Sequence, residues 1–264
     1  MRNARLDVAL VERGLFPTRE QARAAVLAGE VRVDGSVATK PGQAVSPSAR
    51  IEVADRPRFV SRGGEKLEGA LDAFGIDVRG MRAIDVGAST GGFTDCLLSR
   101  GAASVVALDV GYGQLAWKLR TDERVTAVER TNVRDVDPEA LGAPFDLVVC
   151  DVSFISLRLV LPKLVELAGE RGEVLALVKP QFEVGKGRVG KKGVVREAAL
   201  HAEALDGVAQ AVRAAGWRVR GMTFSPLKGP EGNIEFWVWA AAHGEETAER
   251  AEDVVAAAHE RLGD

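Results

Sequence analysis

From about Met81 onward, short runs of apolar residues alternate with stretches whose apolar positions recur every three to four residues. The short runs are typical of buried strands, and the periodic stretches are typical of amphipathic helices. Strands are predicted at Ala83–Val86, Val105–Leu108, Val125–Val128, Leu147–Cys150 and Val174–Val178. Helices are predicted between them at Thr94–Arg100, Leu115–Arg120 and Leu159–Ala168. This alternation indicates a largely parallel sheet with helices on both faces.

Two later apolar runs complete this pattern. Trp217–Phe224 and Ile234–Ala240 follow a long helical stretch near Glu197–Ala214, and they predict an antiparallel hairpin at the edge of the sheet. Together with the five earlier strands, the hairpin predicts a seven-stranded, Rossmann-like α/β domain. A hairpin at this end of the sheet is typical of the methyltransferase variant of the doubly wound fold. Residues 243–264 place apolar side chains on one helical face, which predicts an acidic helix packed on the outside.

The beginning of the chain has a different pattern. Leu6, Ala9 and Leu10 share one helical face, and a second helix is predicted from Thr18, a suitable N-cap. Asp34-Gly35 predicts a tight turn between two short strands. These elements predict a small α+β domain before the larger one. The predicted divisions are a first domain over 1–55, a linker over 56–64, a second domain over 65–242 and a terminal helix over 243–264.

The composition is that of an ordinary globular protein, with 264 residues of which 46% are apolar and 28% charged. No run approaches the ~18 uncharged apolar residues of a membrane span. The first ten residues lack the apolar core of a secretory signal. Cys96 and Cys150 are too few for a disulfide framework, and three scattered histidines suggest no metal site. A cytoplasmic protein without membrane or metal partners is therefore expected.

The net charge of −3 conceals local imbalance. Residues 1–60 hold 10 basic against 7 acidic side chains, whereas residues 243–264 hold 2 against 7. Residues 179–196 combine six basic side chains with one acid and several glycines. Since charges are screened beyond about 8–10 Å at physiological salt, local zones matter more to a polyanion than the total. The charge pattern permits RNA binding, and the glycine-rich zone predicts a mobile loop that contacts phosphates.

A glycine-rich loop follows the first strand of the larger domain. Its sequence, DVGASTGGF over residues 85–93, turns from a strand into a helix, and its glycines allow close approach of a ligand. Nicotinamide dinucleotides favour a glycine where Ser89 stands, so we favour S-adenosylmethionine over NAD. Asp109, at the end of the next strand, can accept hydrogen bonds from ribose hydroxyls. The predicted cofactor residues are Gly87, Ser89, Thr90, Gly91, Gly92, Phe93, Asp109, Val110, Asn132 and Val133.

Four charged residues lie at strand ends or entries. Asp151 and Lys179 end neighbouring strands, Lys66 precedes the sheet, and Glu235 lies in a late strand. Buried charges need partners, so lysines and acids are expected to pair there. A ribose 2′-hydroxyl must lose its proton as it attacks a methyl group, and a partly neutral lysine can accept that proton. These four residues therefore predict a catalytic set for hydroxyl methylation.

Other methyl acceptors fit less well. Adenine-N6 enzymes carry an Asn/Asp-Pro-Pro-aromatic loop after the fourth strand, where this chain has Asp151-Val-Ser-Phe154. Cytosine-C5 enzymes need a nucleophilic cysteine in that region. Cys150 precedes Asp151 within the strand, and alternation directs it to the opposite side. We expect Cys150 to be a small buried hydrophobic residue.

The segment RLDVALVERGLFPTREQARAAVLAGEVRVDGSVATKPGQAV resembles the small αL-type RNA-binding module of ribosomal proteins, pseudouridine synthases and tyrosyl-tRNA synthetases. In that module the second helix and its preceding turn meet the RNA backbone. The resemblance implies RNA contacts at Arg5, Thr18, Arg19, Arg23 and Lys40. Basic residues near the linker and in the glycine-rich loop complete the predicted RNA contacts: Arg62, Lys186, Arg188, Lys191 and Lys192.

The motifs SRGGEKL, DVGASTGGFTDCLL, CDVSFISL, VKPQFE and GNIEFW resemble those of the TlyA family, which joins an αL module to an FtsJ-type ribose 2′-O-methyltransferase domain. The resemblance implies S-adenosylmethionine as cofactor and cytidine 2′-hydroxyls of 16S or 23S ribosomal RNA as substrate. It implies that Lys179 accepts the proton with Asp151 as its partner, while Lys66 and Glu235 position the ribose.

Two other functions stay open from sequence. The family has an older label as haemolysins, although the terminal helix is acidic and suits anionic lipid poorly. A non-catalytic RNA-binding or ribosome-assembly factor would keep the module and lose the chemistry. The target nucleotide, the ribosomal subunit and the oligomeric state are not determined by the residues.

Overall fold

The computed structural model describes residues 3–54, 58–185 and 187–263, with the side chain of Lys191 excluded. The chain forms two compact units, one ending at residue 57 and the other beginning at residue 58. Among the described residues, no helix is long and apolar enough to cross a bilayer. Over the same ranges, no cluster of three or more His, Cys, Asp or Glu is arranged to hold a metal ion.

The first unit contains two helices and short antiparallel strands. Its elements are β1 (Ala4–Arg5), α1 (Leu6–Glu12), α2 (Arg19–Leu27), β2 (Val31–Val33), β3 (Ser36–Val37), β4 (Ala44–Val45) and β5 (Ile51–Val53). β1 pairs with β4, while β2 lies between β3 and β5. Thr18 caps α2, since its hydroxyl accepts from the Gln21 amide at 3.3 Å. Asp34 and Gly35 both have positive φ, as the predicted two-residue turn requires.

The second unit is built on a seven-stranded sheet. Its strands are β6 (Arg82–Val86), β7 (Ser104–Leu108), β8 (Val125–Val128), β9 (Leu147–Cys150), β10 (Glu173–Val178), β11 (Arg218–Phe224) and β12 (Phe236–Ala241). Their order across the sheet is β11-β12-β10-β9-β6-β7-β8. β12 runs antiparallel to both of its neighbours, β10 and β11, whereas the described strands from β10 to β8 in this order are parallel to one another. The Rossmann-like seven-stranded prediction is confirmed, and the hairpin lies so that β12 is internal and β11 is the edge strand.

Helices connect and cover these strands. They are α3 (Gly63–Phe74), α4 (Gly92–Ser99), α5 (Trp117–Arg120), α6 (Leu157–Ala168), α7 (Pro180–Glu183), α8 (Ala198–Ala214) and α9 (Ala251–Leu262), with 3₁₀ turns at Val133–Asp135 and Lys191–Gly193. Sequence periodicity did not predict α3 or α7. The α7 helix is a single turn, too short to show a period, and it begins with a proline at the position where helices tolerate one.

Two hydrophobic clusters fill the two faces of the sheet, because successive side chains of a buried strand point to opposite sides. One cluster packs α6, α8 and α9 against side chains such as Val148 and Val178. The other packs α3 and α4 against side chains such as Val149 and Leu177. Cys150 is buried in the first cluster, and burial raises its thiol pKa above the ordinary range. It is therefore a hydrophobic residue here, as expected.

The terminal helix α9 packs on α8. The segment before it covers the edge strand, because the Glu246 and Glu249 carboxylates accept hydrogen bonds from the Val219 and Met222 amides at 3.0 and 2.9 Å. These contacts satisfy backbone donors that an open sheet edge would present to another chain.

Candidate active site

The order of the parallel strands reverses between β6 and β9, and ligands in such sheets bind beyond the carboxyl ends at this point. The glycine-rich loop leaves β6 here. Gly87 has φ +87°, and an added Cβ would lie 2.5 Å from the Asp151 carbonyl oxygen. Gly91 has φ +96°, and its Cβ would meet Leu119 at 2.3 Å. Glycine is therefore required at both positions by backbone conformation and by neighbouring protein atoms.

Asp109 holds this loop in place. Its carboxylate accepts hydrogen bonds from the amides of Ser89 at 2.8 Å and Gly111 at 2.6 Å. A carboxylate has about four acceptor positions, so Asp109 retains capacity for a ligand hydroxyl. The Ser89 hydroxyl donates to the Gln114 side chain at 3.1 Å. Gln114 was not predicted, because nothing in its spacing distinguishes it from an ordinary polar loop residue.

Two cavities meet at the glycine-rich loop. The first, of about 430 Å³, extends over the ends of β7 and β9. The second, of about 250 Å³, lies between the loop and the start of α3. The lining of both cavities includes Gly87, Ser89 and Asp151, so the cavities adjoin at these residues. The combined space is within the range of small-molecule sites, about 300–1,000 Å³.

The predicted cofactor residues fall into three groups. The first cavity is lined by Gly87, Ser89, Asp109, Val110, Asn132 and Val133. The second is lined by Thr90, Gly92 and Phe93, in addition to Gly87 and Ser89. Gly91 lines neither cavity; it is the N-cap of α4, and an added Cβ there would meet Leu115 and Leu119. Its role as a cofactor contact stays a prediction.

The four predicted catalytic residues form two ion pairs. Lys66, in the first turns of α3, contacts Glu235 with Nζ–Oε2 at 2.5 Å, and both side chains are buried. Lys179, directly after β10, pairs with Asp151, directly after β9. Burial raises the pKa of Glu235, while Lys66 and then Lys179 act in the opposite direction. Glu235 was predicted within a strand, but the pairing of β12 begins one residue later, at Phe236.

Lys179 has a second partner that the sequence did not indicate. Its Nζ donates to the Ser153 hydroxyl at 2.9 Å, in the loop that follows β9. The next residue, Phe154, has φ +65° and is 91% exposed at the rim of the first cavity. A large aromatic side chain that is exposed beside a polar site can stack against another planar ring.

Asp85 was also absent from the predicted site. Its Oδ2 accepts from the Thr94 amide and hydroxyl at 3.0 and 2.7 Å. Its Oδ1 is buried, and none of the described residues donates a hydrogen bond to it. Burial, opposed by the Thr94 hydrogen bonds, raises the pKa of Asp85 to about 7. The signal was available in sequence, since Asp85 is a charged residue near the end of an apolar strand, beside the glycines of the loop.

The predicted RNA contacts in the first unit are partly engaged within it. Arg5 and Arg19 both bond to the buried Asp7 carboxylate, at 3.0 and 3.1 Å, and they lower its pKa to about 2. Thr18 caps α2. Arg23 and Lys40 are exposed. The sequence did not single out Asp7, although it holds two of the five predicted contacts in position.

The predicted RNA contacts of the second unit have mixed surroundings. Arg62 is exposed and lines the second cavity. Arg188 pairs with Glu203, and Lys192 is exposed with φ +62°. Lys186 and the Lys191 side chain lie outside the described residues.

A seven-stranded sheet with one antiparallel strand next to the edge strand, together with a glycine-rich loop at the point where strand order reverses, defines a methyltransferase of the Rossmann-like class. Comparison with protein families agrees. The model of the FtsJ-like methyltransferases matches residues 59–242, and that of the S4 domain matches residues 4–51. The chain belongs to the TlyA family of FtsJ-like methyltransferases.

Individual relatives cover nearly the whole chain. A Mycobacterium tuberculosis protein named 16S/23S rRNA (cytidine-2′-O)-methyltransferase TlyA is 55% identical over 90% of this chain and 90% of its own length. Hemolysin A of Brachyspira hyodysenteriae is 40% identical over 88% of this chain and 97% of its own. A solved structure from Streptococcus thermophilus, of a protein named as a hemolysin, is 42% identical with TM-score 0.75, covering 99% of this chain and 97% of the other.

Proposed function

We propose that this protein transfers a methyl group from S-adenosylmethionine to the 2′-hydroxyl of cytidine in ribosomal RNA. The observation that carries the proposal is the placement of two lysine–carboxylate pairs, Lys179–Asp151 and Lys66–Glu235, with members of both pairs lining the cavity beside the glycine-rich loop. The name of the Mycobacterium tuberculosis relative, which is similar over nine-tenths of the chain, supports this choice of substrate. Such a substrate would place the activity in the cytoplasm.

The cavities suit the proposed cofactor. Asp109 has free acceptor capacity toward ribose hydroxyls, and the apolar Val133 lies in the same cavity, where an adenine face could rest. In the second cavity the unpartnered Oδ1 of Asp85 suits a cationic amine, which is present in an amino acid group. S-adenosylmethionine carries these groups and, when bound, supplies an electrophilic methyl group. Each cavity therefore contains residues that suit one part of the proposed cofactor.

In the proposed mechanism the protein positions and deprotonates the acceptor hydroxyl. Lys179 in its neutral form accepts the hydroxyl proton at Nζ as the oxygen attacks. Asp151 orients that nitrogen and stabilises the ammonium ion formed. Lys66 is held by Glu235 at the second cavity, where its remaining N–H groups can donate to the ribose. The work of the protein is thus orientation and proton transfer, which typically contribute about 10²–10⁴-fold to rate.

RNA binding is proposed for the S4 domain and for the glycine-rich segment 185–196. Exposed Arg23, Lys40 and Lys192 are available to phosphates without breaking an ion pair described here, whereas Arg5 and Arg19 would have to share theirs with Asp7. Exposed Phe154 offers a stacking face for an unpaired base at the rim of the cavity. Phosphate contacts of this kind add affinity that falls steeply with salt.

The proposal is tested with radiolabelled S-adenosylmethionine and unmodified 30S and 50S ribosomal subunits, followed by digestion and identification of the labelled nucleoside. We expect label in 2′-O-methylcytidine, and the subunit that carries it shows the substrate. Label on a base would contradict the 2′-hydroxyl assignment. Binding of cofactor without label on subunits, free rRNA or tRNA would instead favour a non-catalytic assembly factor.

Asp85 leads to a prediction about pH. A nearby cationic amine favours the carboxylate form, and the pKa of Asp85 in the free protein is about 7, so binding of S-adenosylmethionine should release a proton. Affinity should therefore rise as pH increases through about 7. Calorimetric titration in buffers of different ionisation enthalpy measures this release. We expect Asp85→Asn to bind more weakly and without proton release, and the exposed control Asp135→Asn to behave as wild type. Equal proton release by Asp85→Asn would exclude Asp85 as its source.

A further inference from the structure

The loop between β9 and α6 is joined to α7 by a buried carboxylate outside the two ion pairs. Glu183, at the end of α7, is only 7% exposed. Its Oε1 accepts from the Leu157 amide at 2.7 Å, and its Oε2 accepts from the Ser156 hydroxyl at 2.6 Å. A charged group buried this deeply is stable only with such partners. Glu183 therefore ties the start of α6 firmly to α7.

This contact closes a ring that passes through Lys179. The α7 helix begins at Pro180, one residue after Lys179, and ends at Glu183. The loop anchored by Glu183 runs back from Ser156 to Ser153, whose hydroxyl accepts from Lys179 Nζ at 2.9 Å. Lys179 and Ser153 are thus connected through α7, Glu183 and the loop by short stretches of chain and by hydrogen bonds.

Two further contacts brace the same ring. The Arg158 guanidinium donates to the Glu183 backbone carbonyl at 3.0 Å, so α6 and α7 are joined in both directions. The rings of Phe154 and Phe182 lie 5.3 Å apart, which joins the middle of the loop to the middle of α7. Phe154 holds a positive φ, a conformation that costs a non-glycine residue energy and persists where surrounding contacts enforce it.

We propose that Ser153 and Glu183 are positioning residues for Lys179: Ser153 orients its amine opposite Asp151, and Glu183 holds the loop that presents Ser153. This inference rests on the proposed function of Lys179 as the proton acceptor. Lys179 Nζ is paired with the Asp151 carboxylate and donates to the Ser153 hydroxyl, so these two contacts limit the directions in which the amine can meet a substrate.

The first experiment is the pH–rate profile of methyl transfer for Ser153→Ala. Ser153 is exposed, so this variant should fold normally. With one acceptor of the amine lost, the acidic limb of the profile should move to lower pH. The plateau kcat should fall because orientation is lost, while the KM for RNA should stay unchanged. If the acidic limb did not move and the KM for RNA rose, Ser153 would be a surface residue that contacts RNA. That result would overturn its assignment as a positioning residue.

The second experiment tests the connection to Glu183. Glu183→Ala should move the limb as Ser153→Ala does, and the double variant should show little more than either single change, because both break the same ring. Glu183→Gln keeps an oxygen for the Leu157 amide and should restore most of the activity; it also serves if the alanine variant fails to fold. Glu166→Ala, an exposed residue on α6, is the matched control. Additive effects of the two alanine changes would contradict the ring.

A third measurement separates this inference from the proposed function. Trace acetylation of Lys179 by acetic anhydride, read by peptide mass spectrometry across pH, needs neither cofactor nor RNA. Its midpoint should move to lower pH in Ser153→Ala and stay fixed in Glu166→Ala. If the midpoint moves in Ser153→Ala but the wild-type protein does not transfer methyl groups, the contact of Ser153 with Lys179 is supported and the proposed function is rejected. If the midpoint does not move but the wild-type protein is active, the proposed function is supported and the positioning role of Ser153 is rejected.

Discussion

Replacing Lys179 by alanine should lower the rate of methyl transfer to RNA by about 10²–10⁴-fold, the usual contribution of a positioned general base. The side chain is nearly buried, with 11% exposed, and it is held by Asp151 and Ser153 at the end of β10. Lys66 cannot substitute for it, because buried Glu235 engages the Lys66 ammonium. Single-turnover rates with saturating cofactor measure the effect on the chemical step directly.

Cofactor binding should survive this change. Lys179 is absent from the linings of both cavities, so calorimetry should give wild-type affinity for S-adenosylmethionine. Lys163→Ala, on the outer part of α6, is the matched control and should retain full activity. Retention of more than a tenth of the wild-type rate in Lys179→Ala would remove the lysine from the role of proton acceptor, since that loss is below the range expected for a base.

Replacing Glu235 by alanine should cost about 3–5 kcal/mol of the free energy of unfolding, because Lys66 would be left charged, buried and unpaired. The two side chains are 9% and 1% exposed, so water compensates only in part for the lost pair. Chemical denaturation measures this cost. Activity should be lost as well, since the position of Lys66 depends on Glu235.

A double variant separates the two effects. Lys66→Met with Glu235→Leu removes both charges and fills similar volume, so its stability should return to within about 1–2 kcal/mol of wild type while activity stays absent. Glu203→Ala, which breaks the exposed pair with Arg188, should leave the free energy of unfolding nearly unchanged. If Glu235→Ala and the double variant were equally unstable, packing rather than an unpaired charge would explain the loss.

Much of the fold could be predicted because it is encoded by local pattern. The strands Val125–Val128 and Leu147–Cys150 have the predicted bounds, since a run of apolar residues limited by polar ones specifies a buried strand by itself. The α7 helix was missed because one turn has no period. The start of β12 was predicted too early because apolar Ile234 lies just before the strand, while the backbone of Ile234 and Glu235 does not join the ladder with β10.

The candidate site, like the fold, could be predicted from sequence only in part. The lysines and acids could be selected from sequence, because charges at the ends of apolar runs are conspicuous. Asp151 could also be paired with Lys179, because the two residues end neighbouring strands, but two other pairs could not be predicted. Lys66 and Glu235 are separated by 169 residues, and Lys179 and Ser153 by 26, so only folding brings each of these pairs together. Glycine spacing also does not show that the side chains of Leu115 and Leu119 lie against Gly91.

The sequence by itself determined the order of strands and helices, the S4 and methyltransferase parts, the glycine-rich loop and the four charged residues proposed for catalysis, because each depends on neighbours in the chain. Only the tertiary structure decided that Lys66 meets Glu235, that Asp85 has a buried oxygen without a described donor, and that Glu183 joins α7 to the loop of Ser153. The physical reason is that burial and pairing depend on distances across the sheet, which residue spacing along the chain does not contain.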